Sequence, residues 1–252
     1  MTEFDSIFKR QSIRKYEDRP VEEDVLQTIK KYIETIEPLI PGIEVKMTIV
    51  DRTLFNKIAK GKFIVSAPHY IVITSEEKEG SYLNAGYMGE QAVLHLTKLG
   101  IGSCWLGGAR EQKDINYTLP YTIAIAFGYG RESIERENLE GINRKEISSW
   151  ASGETASFYS LLLECVRIAP SAMNNQPWIC QVSNDKIRWF KKKSNIFKKI
   201  FLENLNDVDM GIAFCHFVIA AEAENRLVTF EKEDLIHGIG YVLTAYIKDN
   251  LI

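Results

Sequence analysis

The sequence predicts an α+β fold built from two halves with the same plan. Three observations support this prediction. Amphipathic helices alternate with short strand-like segments, two further helices are apolar around most of their circumference, and the second half repeats the order of the first. With 252 residues, of which 45% are hydrophobic, the chain is long enough to bury cores of this kind.

The first half predicts one amphipathic helix, three strands and one buried helix. Residues 22–36 carry apolar side chains three and four positions apart, which is typical of a helix with one buried face. Residues 82–99 are apolar on most sides and predict a central helix, which Gly100 and Gly102 end. The predicted strands are 43–50, 69–74 and 121–128.

The second half predicts similar elements in a similar order. Residues 155–168 form a helical pattern that stops before Pro170, and residues 208–224 predict a second, almost wholly apolar helix. The strand signals lie at 178–183, 186–190 and 239–247.

Two local matches suggest that the halves arose by duplication. Pro38 follows the first helix as Pro170 follows its counterpart, and Met88-Gly89 resembles Met210-Gly211. We therefore predict two repeats, 1–150 and 151–252, that form one compact unit. Two unrelated α+β halves with similar helix lengths are the alternative explanation.

The balance of charge implies that any partner is recognised locally. The 31 basic and 34 acidic residues nearly balance, so no overall field attracts nucleic acid or an anionic membrane. The basic run 188–200 is interpreted as a strand leading into a helix with a solvated face. The chain shows no secretory signal and no membrane-spanning run, and its four cysteines form no C-x-x-C pair, which predicts a cytoplasmic protein with reduced thiols.

Several common chemistries lack their motifs. The sequence contains no G-x-G-x-x-G after a strand, no phosphate-binding G-x-x-x-x-G-K-[ST] loop and no H-E-x-x-H. The four histidines lie far apart, without the spacing of metal ligands, so no metal site is predicted.

Two guanidinium groups and a hydroxyl alternate in the segment Arg10-Gln11-Ser12-Ile13-Arg14. In extended backbone, Arg10, Ser12 and Arg14 project from one face, which suits an anion. A solvated surface is the alternative interpretation.

Two loops have chemistry suited to a flat heterocycle. Residues 169–178, APSAMNNQPW, combine two prolines with small polar side chains and predict a rigid polar loop. Gly107 and Gly108 end a short strand, where paired glycines allow the backbone to approach a planar ligand. An ordinary connection for the first loop, and a tight turn for the second, are the alternatives.

Together these segments resemble the nitroreductase family of FMN enzymes. The family's R-x-S-x-R pattern, with a following aromatic residue and P-V, is similar to Arg10, Ser12, Arg14, Tyr16 and Pro20-Val21. Its A-P-S-x-x-N-x-Q-P-W loop is similar to 169–178, and its glycine-rich strand end is similar to 100–108. A late G-Y-P with a basic pair resembles Gly128-Tyr129, where Gly130 replaces the proline, and Arg144-Lys145.

The resemblance implies a role for each matched residue. Arg10 and Ser12 would hold the FMN phosphate, with help from Arg144 or Lys145, and Arg14 would face the pyrimidine edge. The backbone at Gly107 and Gly108 would address N5. The implied cofactor-binding residues are Arg10, Ser12, Arg14, Trp105, Leu106, Gly107, Gly108, Arg144, Lys145, Pro170, Ser171, Ala172, Met173 and Asn174.

The order of the motifs departs from that of the ordinary family. The R-x-S-x-R pattern and the A-P-S loop stand in different halves, as if the family's homodimer were fused into one chain. The resemblance therefore implies one FMN site within one chain and leaves further oligomerisation open. It implies a ping-pong oxidoreductase that uses NADH or NADPH and a small acceptor such as a nitroaromatic or a quinone. A flavin-binding carrier without turnover is the alternative.

Overall fold

The protein divides into two compact units. A computed structural model describes residues 1–61, 64–112, 118–153, 157–183, 185–192, 199–233 and 240–250, without the side chains of 157 and 199–203. The first unit is Met1–Leu139 and the second is Glu140–Ile252. The repeats predicted from the sequence, 1–150 and 151–252, remain a prediction.

The first unit is an antiparallel sheet covered by helices. Its strands have the order β1-β3-β6-β4, and β2 pairs with β5 in a small separate ribbon. Its elements are α1 (Glu3–Lys9), α2 (Glu23–Ile33), β1 (Val45–Asp51), α3 (Arg52–Ile58), β2 (Ala59–Gly61), β3 (His69–Ser75), α4 (Ser81–Lys98), β4 (Gly102–Trp105), β5 (Ala109–Glu111) and β6 (Tyr121–Gly128).

Both faces of this sheet are buried, which explains its continuous apolar strands. Every residue of β3 is buried. Tyr70 and Val72 join a cluster with Phe55 of α3, while Ile73 lies against α4 on the opposite face. The long helix α4 is therefore a central element, as its apolar circumference predicted.

The second unit is a five-stranded sheet with two helices. Its order is β10-β11-β9-β8-β7, antiparallel except for β7, which runs parallel to β8. Its elements are a 3₁₀ turn (Ile147–Ser149), β7 (Ala151–Gly153), α5 (Ser157–Arg167), a 3₁₀ turn (Ala172–Asn174), β8 (Trp178–Ser183), β9 (Lys186–Lys191), α6 (Lys199–Ala223), β10 (Arg226–Glu231) and β11 (Tyr241–Asp249).

The two units share one strand order. Apart from α1, α3, the β2-β5 ribbon and β7, each unit has a helix, two sheet strands, a long helix and two more sheet strands along the chain. In each sheet, the fourth of these strands lies between the second and the third. This gives β1-β3-β6-β4 in the first unit and β8-β9-β11-β10 in the second. The predicted α+β fold is confirmed, its central sheets are antiparallel apart from β7, and the shared order supports the predicted duplication.

The structure also corrects the predicted elements. Helix α6 begins at Lys199 rather than at residue 208, so it continues into part of the basic run. Strand β10 was missed, although its residues alternate between half-buried and exposed positions. Helix α1 was also missed; Thr2 and Asp5 form a capping box at its start. Residues 155, 156 and 239 of the predicted elements lie outside the described residues.

A test of the packing of α4 is Gly89→Ala. A Cβ at this position would lie 2.4 Å from Cη2 of Trp105 and 2.9 Å from Cδ1 of Ile73. Because both distances are shorter than real Cβ contacts, we expect an overpacking cost of about 3 kcal/mol, the upper end of the usual range. The helix-propensity gain is about 1 kcal/mol, so the net loss should be about 2 kcal/mol. Urea denaturation measures the change. Gln91→Ala, two positions along the same helix, is the control and should change stability little; equal stability of Gly89→Ala and wild type would contradict the packing.

Candidate functional site

The arginine segment lies along the edge strand of the first sheet. Arg10 ends α1 with extended backbone, and the amide of Ile13 donates to the carbonyl of Ser103 in β4 at 2.8 Å. Ser12 and Ser103 form an isolated parallel bridge. A Cβ on Gly102 would lie 2.8 Å from Ile13, so this glycine permits the close approach.

Arg10 is a buried cation whose hydrogen bonds are incomplete. The residue is 4% exposed, its Nη2 donates to Oγ of Ser12 at 3.3 Å, and its Nε lies 4.0 Å from Oε1 of Glu90. Within the described part of the chain, its Nε and Nη1 have no hydrogen-bond partner. Burial lowers the pKa of Arg10, Glu90 opposes that shift, and the nearby charge of Arg14 adds to it. Arg14 itself is exposed.

Glu90 connects Arg10 to the glycine-rich strand end. It lies wholly buried in α4, and its Oε2 accepts a hydrogen bond from Nε1 of Trp105 at 2.8 Å. We call Arg10, Ser12, Glu90 and Trp105 the arginine cluster. Glu90 was not predicted from the sequence, although it is the one acidic residue of a helix predicted to be largely buried, which was a signal for it.

The remaining residues of the strand end form a tight turn. The side chain of Leu106 is buried, and its amide donates to the carbonyl of Ala124 at 2.9 Å. Gly107 and Gly108 are half-buried between β4 and β5. A Cβ on Gly61 would lie 2.1 Å from the oxygen of Gly108, so this turn packs against backbone.

The loop between α5 and β8 is strained. We call residues 170–177 the proline loop. Met173, Asn174 and Gln176 have φ angles of 53°, 55° and 48°, in the left-handed region that non-glycine residues rarely adopt. Each such residue costs on the order of 1–3 kcal/mol, so neighbouring groups must hold the loop in place. Pro170 is buried, whereas Met173 is 86% exposed.

The predicted basic pair contacts this loop directly. Arg144 donates from Nη1 to Oδ1 of Asn174 at 2.9 Å and from Nε to the carbonyl of Ala169 at 3.2 Å. Lys145 donates from Nζ to the carbonyl of Gln176 at 3.0 Å, and its amide donates to Oε1 of Gln176 at 2.7 Å. Burial lowers the pKa of Lys145, and the charge of Lys192 adds to this shift.

Two polar residues of α6 also hold the proline loop. Oδ1 of Asp209 accepts the amide of Ala172, and Oδ1 of Asn206 accepts Nδ2 of Asn175, both at 2.9 Å. Asp209 is 2% exposed, and its Oδ2 has no hydrogen-bond partner among the described residues. Burial raises the pKa of Asp209 to about 8, opposed by the hydrogen bond from Ala172. The sequence analysis selected neither residue.

The predicted site residues thus fall into two groups, one in each unit. Arg10, Ser12 and Trp105 meet in the arginine cluster. In the second unit, Arg144 contacts Asn174 of the proline loop, and Lys145 contacts the same loop at Gln176. Among the residues that the structure describes, no group of acidic, histidine and cysteine side chains could hold a metal ion, and no helix has the length and hydropathy of a membrane span.

Comparison with known proteins finds one family and a set of related folds. The family model described as "Putative TM nitroreductase" matches residues 3–221. No curated protein matches the chain. A crystal structure from Thermotoga maritima, described as that of a "putative nitroreductase", covers 99% of this chain and 94% of its own, with 24% identity and a TM-score of 0.67.

Two further solved structures align with part of the chain. A nitroreductase family protein from Clostridium difficile 630 covers 62% of this chain and 100% of its own, with 20% identity and a TM-score of 0.49. A protein from Clostridium difficile R20291, named an FMN-dependent nitroreductase, covers 57% of this chain and 95% of its own, with 23% identity and a TM-score of 0.40.

The raised pKa of Asp209 predicts a pH-dependent contribution to stability. The folded carboxyl has a pKa of about 8, against an ordinary value of 3.8, so the folded state keeps a proton that the unfolded state releases. The contribution of this carboxyl to stability is therefore fully present at pH values below its ordinary pKa of 3.8. It is lost as the pH rises through the folded-state pKa of about 8. We expect Asp209→Asn, which carries no titrating proton, to lack this loss.

Denaturant unfolding of the wild type and Asp209→Asn from pH 4 to 9 measures the difference. Between pH 4 and pH 9, the free energy of unfolding of the variant should rise relative to that of the wild type by about 1 kcal/mol or more. Asp207→Asn, at a half-buried neighbouring position, is the control. Parallel profiles for wild type and Asp209→Asn would contradict a raised pKa.

Proposed function

Because the chain belongs to the nitroreductase family, we propose that it is an FMN-dependent oxidoreductase that passes electrons from NADH or NADPH to a small acceptor. A nitroaromatic or a quinone is the acceptor class we propose. The observation that carries the proposal is the buried Arg10 beside Ser12, at the positions of the R-x-S-x-R pattern. The coarser assignment, an oxidoreductase of this family, follows from the family itself.

The donors of the arginine cluster fit a phosphate group. A buried guanidinium with two unpartnered nitrogen atoms bears an uncompensated desolvation cost, which an anionic oxygen would offset. The carboxylate of Glu90 stands 4.0 Å from Nε, too far for a hydrogen bond, so it does not satisfy this donor. We propose that Arg10 and Ser12 bind the phosphate of FMN.

The proline loop offers neutral polar groups and one exposed apolar side chain. These suit a flat ring with carbonyl and N–H groups on its edges. We propose that Ser171, Ala172, Met173 and Asn174 contact the cofactor, while Pro170 fixes the backbone. Since Arg144 and Lys145 donate to this loop, we propose that they act through its shape.

The proposed chemistry needs no protein nucleophile. When bound, FMN would supply the electron transfer, receiving a hydride equivalent from the nicotinamide and returning electrons to the acceptor. The chain would bind and orient. Arg14, which is exposed near Arg10, would place a cation beside the pyrimidine edge of the flavin. The backbone N–H groups of Gly107 and Gly108 would point towards N5 of the flavin. The nicotinamide and the acceptor would use the same surface in turn.

The first prediction of this proposal is that the purified protein binds one FMN per chain and oxidises NADH or NADPH in the presence of a nitroaromatic or quinone. Heat release with chromatography identifies the flavin, and stopped-flow absorbance measures its reduction. FAD is the control ligand, because the sequence has no adenosine-binding fingerprint. Absence of flavin after reconstitution would refute the proposal. Bound FMN that neither NADH nor NADPH reduces would instead support the alternative, a flavin-binding carrier without turnover.

A second prediction separates the two arginines. Arg10→Ala should weaken FMN binding by about 1.5–3 kcal/mol, since it removes a charged hydrogen-bond donor to phosphate. Arg14→Ala should instead lower the reduction potential, since it removes a cation beside developing negative charge. Flavin titration and potentiometry measure the two effects. Lys15→Ala, on the same segment with a side chain 73% exposed, is the control and should change neither; a change in affinity alone for both arginine variants would contradict this division.

A further inference from the structure

The proline loop needs a support that fixes its strained backbone. Three of its residues occupy the left-handed region, and its most strained part, Met173-Asn174, lies directly after Ala172. The only exposed large apolar side chain of this loop, Met173, projects from the same turn. A contact that holds Ala172 therefore helps to fix the surface that the loop presents.

Helix α6 provides that support from a rigid, buried position. Asn206 and Asp209 are three residues apart on α6, so they lie on the same helical face, and both are 2% exposed. Asp209 accepts the amide of Ala172 and Asn206 binds the side chain of Asn175. The two contacts bracket Met173 and Asn174.

The first unit contains the same contact at the equivalent place. Oδ1 of Asn84 in α4 accepts the amide of Ile40 at 2.8 Å, two residues after Pro38, as Asp209 accepts the amide two residues after Pro170. If Asn84 is equivalent to Asp209, then Ala85-Gly86 is equivalent to Met210-Gly211. This alignment differs by three residues from the pairing of Met88-Gly89 with Met210-Gly211 made from the sequence.

The two contacts differ at the second polar atom of the side chain. Asn84 also donates from Nδ2 to the carbonyl of Ile40 at 2.8 Å, so both of its polar atoms are bonded. Asp209 has a second oxygen that is buried and has no partner in the described ranges. Asp209 therefore holds its loop through the single acceptor Oδ1, whereas Asn84 holds its loop through two hydrogen bonds.

We propose that Asp209 is a positioning residue, which holds the proline loop in the conformation that receives the flavin, with Asn206 as a second support. The proposal rests on the proposed function, because it assigns the loop to that ligand. Asp209 acts through the amide of Ala172 and has no part in the transfer of electrons. Asn84 has the matching mechanical role for a loop that carries none of the predicted site residues.

Three variants test the proposal by their FMN dissociation constants. Asp209→Ala removes the acceptor and should weaken FMN binding about tenfold or more, the value of one hydrogen bond to a buried amide. Asp209→Asn keeps Oδ1 and should restore affinity to within about threefold of wild type. Asn84→Ala is the matched control: it should lower the melting temperature and leave the dissociation constant within about threefold. Equal weakening by Asp209→Asn and Asp209→Ala, or by Asn84→Ala, would overturn the proposal.

Hydrogen exchange separates failure of this proposal from failure of the proposed function. In flavin-free protein, amides of residues 171–176 should exchange faster in Asp209→Ala and at the wild-type rate in Asp209→Asn. Unchanged exchange in Asp209→Ala would overturn the positioning role even if FMN binds. If wild type binds no FMN, the proposed function fails, while exchange still reports the support. If Asp209→Ala does not fold, Asn206→Ala replaces it and should increase exchange in the same peptide.

Discussion

Polar side chains buried within two apolar helices fix the segments that carry the proposed site residues. In α4, Glu90 accepts from Trp105 and lies near Arg10; in α6, Asp209 and Asn206 hold the proline loop. A polar group in a dry interior is costly unless it is bonded, so each of these contacts specifies one arrangement. The helices α4 and α6 thus form part of the core and also position polar side chains. The apolar patterns of these helices do not by themselves explain the second role.

Much of the fold was predictable because the spacing of apolar residues typical of helices and of strands is clear in the sequence. Five elements lie near their predicted bounds, because the positions of their apolar residues indicate burial on one or both faces: α2, α4, β3, β6 and β8. The start of α6 was not predictable, because a basic run is compatible with several conformations. Helix α1 depends on its cap at Thr2 more than on its short apolar pattern.

The candidate site was predictable only where its residues form a local pattern. Arg10 and Ser12 are two positions apart, and the proline loop is continuous, so both stood out in the sequence. Glu90 and Asp209 lie far along the chain from Arg10 and Ala172, and an acidic residue within a helix does not identify its partner from the sequence alone. Arg144 and Lys145 were selected as phosphate ligands, yet their hydrogen bonds to the loop require the folded chain.

The incomplete hydrogen bonding of Arg10 has a consequence for the life of the protein in a cell. A buried cation with two unsatisfied nitrogens makes the ligand-free chain less stable than the same chain with an anion bound. Newly made chains would then be degraded in proportion to the time they wait for a ligand. If that ligand is the FMN of the proposed function, the amount of folded protein would rise and fall with the supply of FMN.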